Sequence, residues 1–260
     1  MIRLIQAEIY KIKRSESCHR IFVVYLLTSI VSLCQVRGEK SALLLTGYEW
    51  FCVRQLMGGW TFLPLSLFVA EYIATDFESH AFTISLLCGA TRKKVFGAKV
   101  IVCVAGLLSL ALTNTVVGLM VTTSLNGFGT DLSNNTMFSM IKSLAYYLFI
   151  CVVFIGSVTF LAAMLTKNRV VAFGVGYCVC KILGILTANI PYIFENMKDS
   201  FCKTITEYVF LLTPLYQIDS LFPPYVYKSH PFWLFLLSCS VCLVMTYLIS
   251  MNIFNSIDFN

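Results

Sequence analysis

The chain has 260 residues, of which 58% are hydrophobic and 12% charged, with a formal net charge of +6 and a mean hydropathy of +0.81. An ordinary soluble domain carries about a quarter charged residues, and one core of this size cannot bury so much apolar surface. The composition excludes such a fold and points to lipid.

Residues 1–18 set Ile2, Ile5, Ile9 and Ile12 at helical spacing, with Arg3, Gln6, Lys13 and Arg14 mostly off that line. The pattern predicts an amphipathic helix lying on the inner leaflet, or else a basic flank that orients the first span. This stretch has neither the short apolar region nor the small-residue cleavage site of a secretory signal, so the mature chain is expected to start at Met1. Six apolar runs follow, at 21–36, 56–75, 100–125, 144–166, 170–190 and 231–254. A bilayer core about 30 Å thick takes about 20 mostly apolar residues per helix, so the fold class expected is an all-α polytopic membrane protein of six spans in one transmembrane domain. The first run covers roughly 24 Å as a helix, which obliges Arg20 and Arg37 at its ends to snorkel.

Two connections have character of their own. Residues 76–99 mix Phe77, Phe82, Ile84, Leu86 and Leu87 with polar residues, then turn at Gly89 into the basic cluster Arg92, Lys93, Lys94 and Lys99. The segment is far longer than a turn between antiparallel helices requires. It is too polar to span and too apolar to float free, so it is expected to pack on the membrane surface or on a partner. Residues 191–230 alternate aromatic and charged residues around Pro214, Pro223 and Pro224, and short interfacial helices on the outer face are expected there.

An even number of spans puts both termini on one side, and basic residues choose it. With the termini in the cytoplasm, the inner segments hold Arg3, Lys11, Lys13, Arg14 and Arg20, then Arg92, Lys93, Lys94 and Lys99, then Lys167 and Arg169. The much longer outer segments hold Arg37, Lys40, Arg54, Lys142, Lys198, Lys203 and Lys228. Both termini are therefore expected to be cytoplasmic. The positive charge is an orientation signal, and no nucleic-acid partner is expected.

Catalytic machinery inside the spans is scarce. His19, His80 and His230 lie at or beyond span ends, and no H-E-x-x-H, G-x-S-x-G or G-x-x-x-x-G-K-[ST] occurs, so neither metal binding, catalysis nor nucleotide binding is expected of this chain. Most of the eleven cysteines lie in apolar runs and read as small lipid-compatible residues, the Cys239/Cys242 pair included. A disulfide between Cys52 and Cys202, both in outer segments, is left open. Three polar residues in the spans stand out. Glu71 reads either as a hydrated interfacial residue or as a partner for the segment that follows it. Lys181 reads either as a snorkelling side chain or as a pathway residue facing another helix or a wet cavity. Asn114, flanked by Thr113 and Thr115 midway along the third run, reads as an interhelical hydrogen-bonding group.

Two stretches carry a resemblance: MIRLIQAEIYKIKR over residues 1–14, and Phe68 to Lys99, where Glu71, Asp76 and Glu78 precede an apolar turn and then Gly89, Arg92, Lys93 and Lys99. With the topology, they resemble the membrane subunit of type-2 ABC exporters, particularly the short bacterial permeases of lantibiotic and bacitracin self-protection. The resemblance implies a cell-membrane permease that works with a dimer of a separate ATPase holding ATP and Mg. It further implies a second permease copy or a different permease subunit, and a peptide antibiotic or amphipathic drug as cargo. It makes Phe77, Glu78, Phe82 and Leu86 docking positions for the ATPase, with Arg92 and Lys99 securing the segment to headgroups or to that partner. On this basis Phe82→Asp abolishes transport and leaves insertion intact. The other reading, from a different class, is a non-transporting scaffold or sensor that anchors a partner through residues 76–99.

Overall fold

The computed structural model describes residues 1–34, 36–37, 40–41, 46–51, 62–129, 134–196 and 232–257. Each of the six apolar runs contributes to a helix. In chain order these elements are α1 (Ile2–Arg14), α2 (Glu16–Cys34), the one-turn α3 (Gly47–Glu49), α4 (Phe62–Glu78), the short α5 (Ala81–Leu87) and α6 (Arg92–Asn126). Then come α7 (Asn134–Phe149), continued through a π-helical segment (Ile150–Gly156) into α8 (Ser157–Thr166), followed by α9 (Arg169–Asn196) and α10 (Phe232–Ser256). Among the described residues the one strand pairing is a two-residue antiparallel bridge, Val36 opposite Ser41 and Arg37 opposite Lys40. Three helical stretches there are long and apolar enough to cross a membrane: Arg92–Asn126, Thr136–Thr166 and Phe235–Ser256. The outer connection expected over 191–230 lies outside the described residues beyond Asn196, as do Cys52 and Cys202.

The amphipathic stretch expected over 1–18 is cut at Ser15, whose backbone is extended (φ −76°, ψ 116°) and whose hydroxyl accepts the Cys18 N–H at 3.3 Å. A serine in that place satisfies one of the orphan donors at a helix start, so α2 begins at once with Glu16. Helix α4 forms much of the core: Leu65, Phe68, Val69, Tyr72 and Ile73 are buried against α2, α8 and α9. Helix α10 is peripheral, and Val241, Val244, Met245 and Leu248 are exposed along it. Apolar side chains on the outside of a bundle whose interior is also apolar are the pattern of a helix in lipid.

Inside the bundle, α2, α6 and α7 are tied by polar groups. Asn114 Nδ2 donates to the Tyr147 hydroxyl at 2.9 Å, which lies 3.3 Å from the Tyr25 hydroxyl. At the far end of α6 the chain around α3 folds back on the helix, with Gly47 N–H donating to Gly127 O and Tyr48 N–H to Phe128 O. This seats the buried Trp50 ring against Gly118, where a Cβ would stand only 1.9 Å from the indole. No side chain but hydrogen fits. Gly118→Val is therefore expected to cost about 1–3 kcal/mol by overpacking, read as a lower unfolding temperature in detergent, and Trp50→Ala in the same chain is expected to recover part of the loss.

Candidate functional site

Six chain segments meet at the end of the bundle that carries α1: the ends of α4, α8 and α10, and the starts of α6 and α9, with α5 between α4 and α6. The centre of this end is a buried ion cluster. Asp76, in the last turn of α4, is 1% exposed, and Lys99, in the third turn of α6, is 2% exposed; the two pair directly. Helix α1 lies along α6 and adds a second pair. Glu8 Oε2 accepts from Lys99 Nζ at 2.5 Å and from the Tyr72 hydroxyl at 2.9 Å, while Lys11 pairs with Asp76. The Lys99 ammonium also lies 4.7 Å from the centre of the Tyr72 ring and 5.5 Å from that of Phe82, a favourable cation–π placement.

The charges of α1 sit in this cluster at a cost. Burial pushes the Glu8 carboxyl above its ordinary range, offset in part by the Tyr72 hydrogen bond and by Lys11, and burial pulls the Lys11 ammonium below its usual range, offset in part by Glu8. A carboxyl raised in the folded state opposes folding at neutral pH, and that opposition fades as pH falls towards the raised value. A lowered ammonium opposes it likewise, and its opposition fades as pH rises. Helix α1 is thus positioned by its charges and held by Ile5 and Ile12, which pack on the core.

The corner between α4 and α6 is built on aromatic rings. His80 turns the chain in a left-handed conformation (φ 54°), Gly89 turns it again (φ 84°), and between them α5 presses Phe82 inward. The Phe82 ring lies 4.7 Å from that of Phe77 and 5.1 Å from that of Phe254 at the end of α10. Arg92, the first residue of α6, reaches the same helix end, donating to the carbonyls of Asn255 at 2.7 Å, Ile257 at 3.0 Å and Phe254 at 3.4 Å. A guanidinium on the last carbonyls satisfies orphan acceptors and complements the helix dipole. On the other side, Arg169 at the start of α9 faces Glu78 at 3.4 Å and Glu71 at 3.5 Å, and its backbone N–H donates to Glu78. The Asn168 side chain caps α9 by accepting from Val170 and Val171 N–H.

The structure places each of the expected site residues. Phe82, placed on an outward docking face by the resemblance, is 1% exposed, because its ring fills the gap between Phe77 and Phe254. Lys99 is enclosed by Asp76, Glu8 and the Tyr72 ring. Phe77 and Leu86 are half-buried against the core, and Arg92 clamps α10. Glu71 has a partner across the bundle in Arg169. Lys181 is half-buried on α9 with its ammonium 5.7 Å from the centre of the Tyr177 ring, and Asn114 lies in the hydroxyl chain described above. The sequence reading missed Glu8, Lys11, Tyr72 and the partnership of Asp76 with Lys99. The Glu8/Lys11 spacing of three, on the same helical stripe as Ile5 and Ile12, was the available signal.

A helical bundle with exposed apolar helices and one heavily charged end defines a polytopic membrane protein. The chain belongs to the ABC-2 family of transporter proteins, whose model matches residues 4–185. The match takes in α1 to most of α9 and makes the chain a membrane permease subunit of an ABC transporter, working with an ABC ATPase subunit. No curated protein matches it.

The two buried charges make a sharp test. Lys99→Met leaves Asp76 with only the half-exposed Lys11, and removal of one partner of a buried pair costs about 3–5 kcal/mol. Adding Asp76→Leu removes the stranded charge and is expected to recover more than half of the lost unfolding temperature, measured on purified protein in detergent.

Proposed function

We propose that this chain is the permease subunit of an ATP-driven exporter that moves a peptide antibiotic or an amphipathic drug out of the bacterial plasma membrane, in self-protection. In this reading the six apolar runs cross the membrane, both termini and the α1 end face the cytoplasm, and a dimer of the ATPase holds ATP and Mg. A second copy, or a different permease, completes the path.

The observation that carries the reading is the outer face of α5. Ile84 and Leu87 are 58% and 82% exposed at the charged end of the bundle, on a seven-residue helix whose other face is fixed by Phe82. Exposed apolar residues rimmed by charge mark a protein contact. The docking surface is therefore Ile84 and Leu87, with Phe77, Glu78, Phe82 and Leu86 as the frame behind them and Arg92 as the tie to α10. A recess of about 350 Å³ between α2, α4 and α9 supports the choice of cargo: Arg20, Glu71 and Arg169 rim it above Ile21, Leu67 and Phe173, which matches a molecule with a charged head and an apolar body. Lys181, further along α9, is proposed as a pathway residue. ATP closes the ATPase dimer, the α5 corners follow, and the spans re-pack between two states that the ATPase binds differently.

The test is ATP turnover by the partner ATPase in reconstituted vesicles. Leu87→Asp and Ile84→Asp, on exposed positions, are expected to bring turnover down to that of the ATPase alone while the unfolding temperature stays unchanged. A complex whose formation and turnover are indifferent to both changes identifies a scaffold that anchors its partner without transport.

A further inference from the structure

We infer that the crevice between α6, the π segment with α8, and α10 holds one acyl chain of an anionic phospholipid from the leaflet at the α1 end, with its phosphate on Lys93 and Lys167. The inference needs only that the chain crosses a membrane; it is independent of what the protein transports.

The crevice is a narrow groove with a cavity volume of about 50 Å³, and Val104, Leu107, Val152, Phe160 and Leu243 give it an apolar wall. It exists because α10 meets α6 at the α1 end through Phe96, whose ring lies 5.4 Å from that of Tyr247 and 5.6 Å from that of Phe254. Further along, Gly156 and Ser157 line it where the π segment passes into α8. The lining residues of α6 run from Phe96 to Leu107, a length of roughly 16 Å at the helical rise. Half of a hydrocarbon core about 30 Å thick is about 15 Å. The crevice is thus as deep as one leaflet, the reach of one acyl chain.

Two features distinguish this from an ordinary packing gap. Ser250 is fully buried and lines the crevice, and its hydroxyl has no hydrogen-bond partner among the described residues. The other serines of α10 return their hydroxyls to their own helix: Ser238 to Phe235 O, Ser240 to Leu237 O and Ser256 to Ile253 O. Ser250 lies one turn inside Phe254, where its hydroxyl can donate to the ester carbonyl of a lipid chain seated in the crevice. The second feature is charge at the mouth. Lys93 precedes Phe96 by three residues and Val100 by seven, on the same stripe of α6, and Lys167 is the residue that ends α8; both lysines are exposed. Two ammonium groups beyond the apolar wall, and an unsatisfied donor just inside it, fit the order of groups in a glycerophospholipid.

The experiment is native mass spectrometry of the purified protein in mild detergent, exposed to equal amounts of phosphatidylglycerol and phosphatidylcholine. One phosphatidylglycerol is expected to remain bound, favoured about tenfold or more over the zwitterionic lipid, since each lysine near a headgroup contributes appreciably. Lys93→Glu with Lys167→Glu is expected to abolish that preference. Leu243→Trp, which fills the crevice, is expected to remove the bound lipid altogether at unchanged unfolding temperature. Should Leu243→Trp fail to fold, Val104→Trp on the opposite wall makes the same test. Equal retention of the two lipids, or retention that survives the filled crevice, overturns the assignment.

Discussion

The pairing of Asp76 with Lys99 is the constraint on which the rest of this end depends. The two side chains come from the last turn of α4 and the third turn of α6 and are almost wholly out of water. A lone charge there would cost several kcal/mol, so the pair fixes how α4 and α6 lie against each other. It also draws the basic start of α6 into the bundle and obliges the chain between them, α5, to turn on the spot. The polar rim left around the pair is then the seat for α1, where Glu8 and Lys11 complete the coordination. Each pair is neutral by itself. Helix α1 therefore docks without adding net charge to the interior, and Asp76 and Lys99 keep each other when it is absent.

From that centre, three further contacts spread outward. The Phe77, Phe82 and Phe254 rings lock α5 to α10, Arg92 holds the last carbonyls of α10, and Arg169 joins the end of α4 to the start of α9. A push on the exposed face of α5 is thereby delivered to α4, α6, α9 and α10 together. In the proposed cycle this is how a short surface helix, with only Ile84 and Leu87 for a partner to grip, re-packs helices that run the depth of a membrane. The π-helical stretch at Ile150–Gly156 lies within the longest continuous helix after α6, and such a stretch is a place where a helix changes pitch at low cost.

Much of the architecture was legible in the sequence because its signals are local. Apolar runs mark helices one by one, and the helices that the structure places at 92–126 and 134–166 enclose the runs read at 100–125 and 144–166. Their ends were misjudged where a helix continues through polar residues: the first three turns of α6 carry Arg92, Lys93, Lys94 and Lys99 and were read as connection up to Lys99. The burial of Lys99 was not legible, since charge in a basic cluster reads as solvated unless its partner is known. That partner lies 23 residues away at Asp76 and 91 away at Glu8, and pairing across such distances leaves no periodic trace. The burial of Phe82 was not legible either, because the turns at His80 and Gly89 that swing its ring inward leave no periodic signal. Asn114 was legible as an interhelical group, because a side-chain amide midway along an apolar helix has few other uses.

The central claim is that the α1 end is one body that carries motion from the ATPase to the spans. The most direct measurement is the distance between spin labels at the exposed positions Ile2 on α1 and Cys88 at the end of α5, in the complex with its ATPase, without nucleotide and with ATP. The account predicts one narrow distance distribution, unchanged between the two conditions, because the ion cluster and the ring contacts hold the two helices to the same frame. A distance that shifts or broadens on ATP binding would show the two helices moving separately and would contradict it.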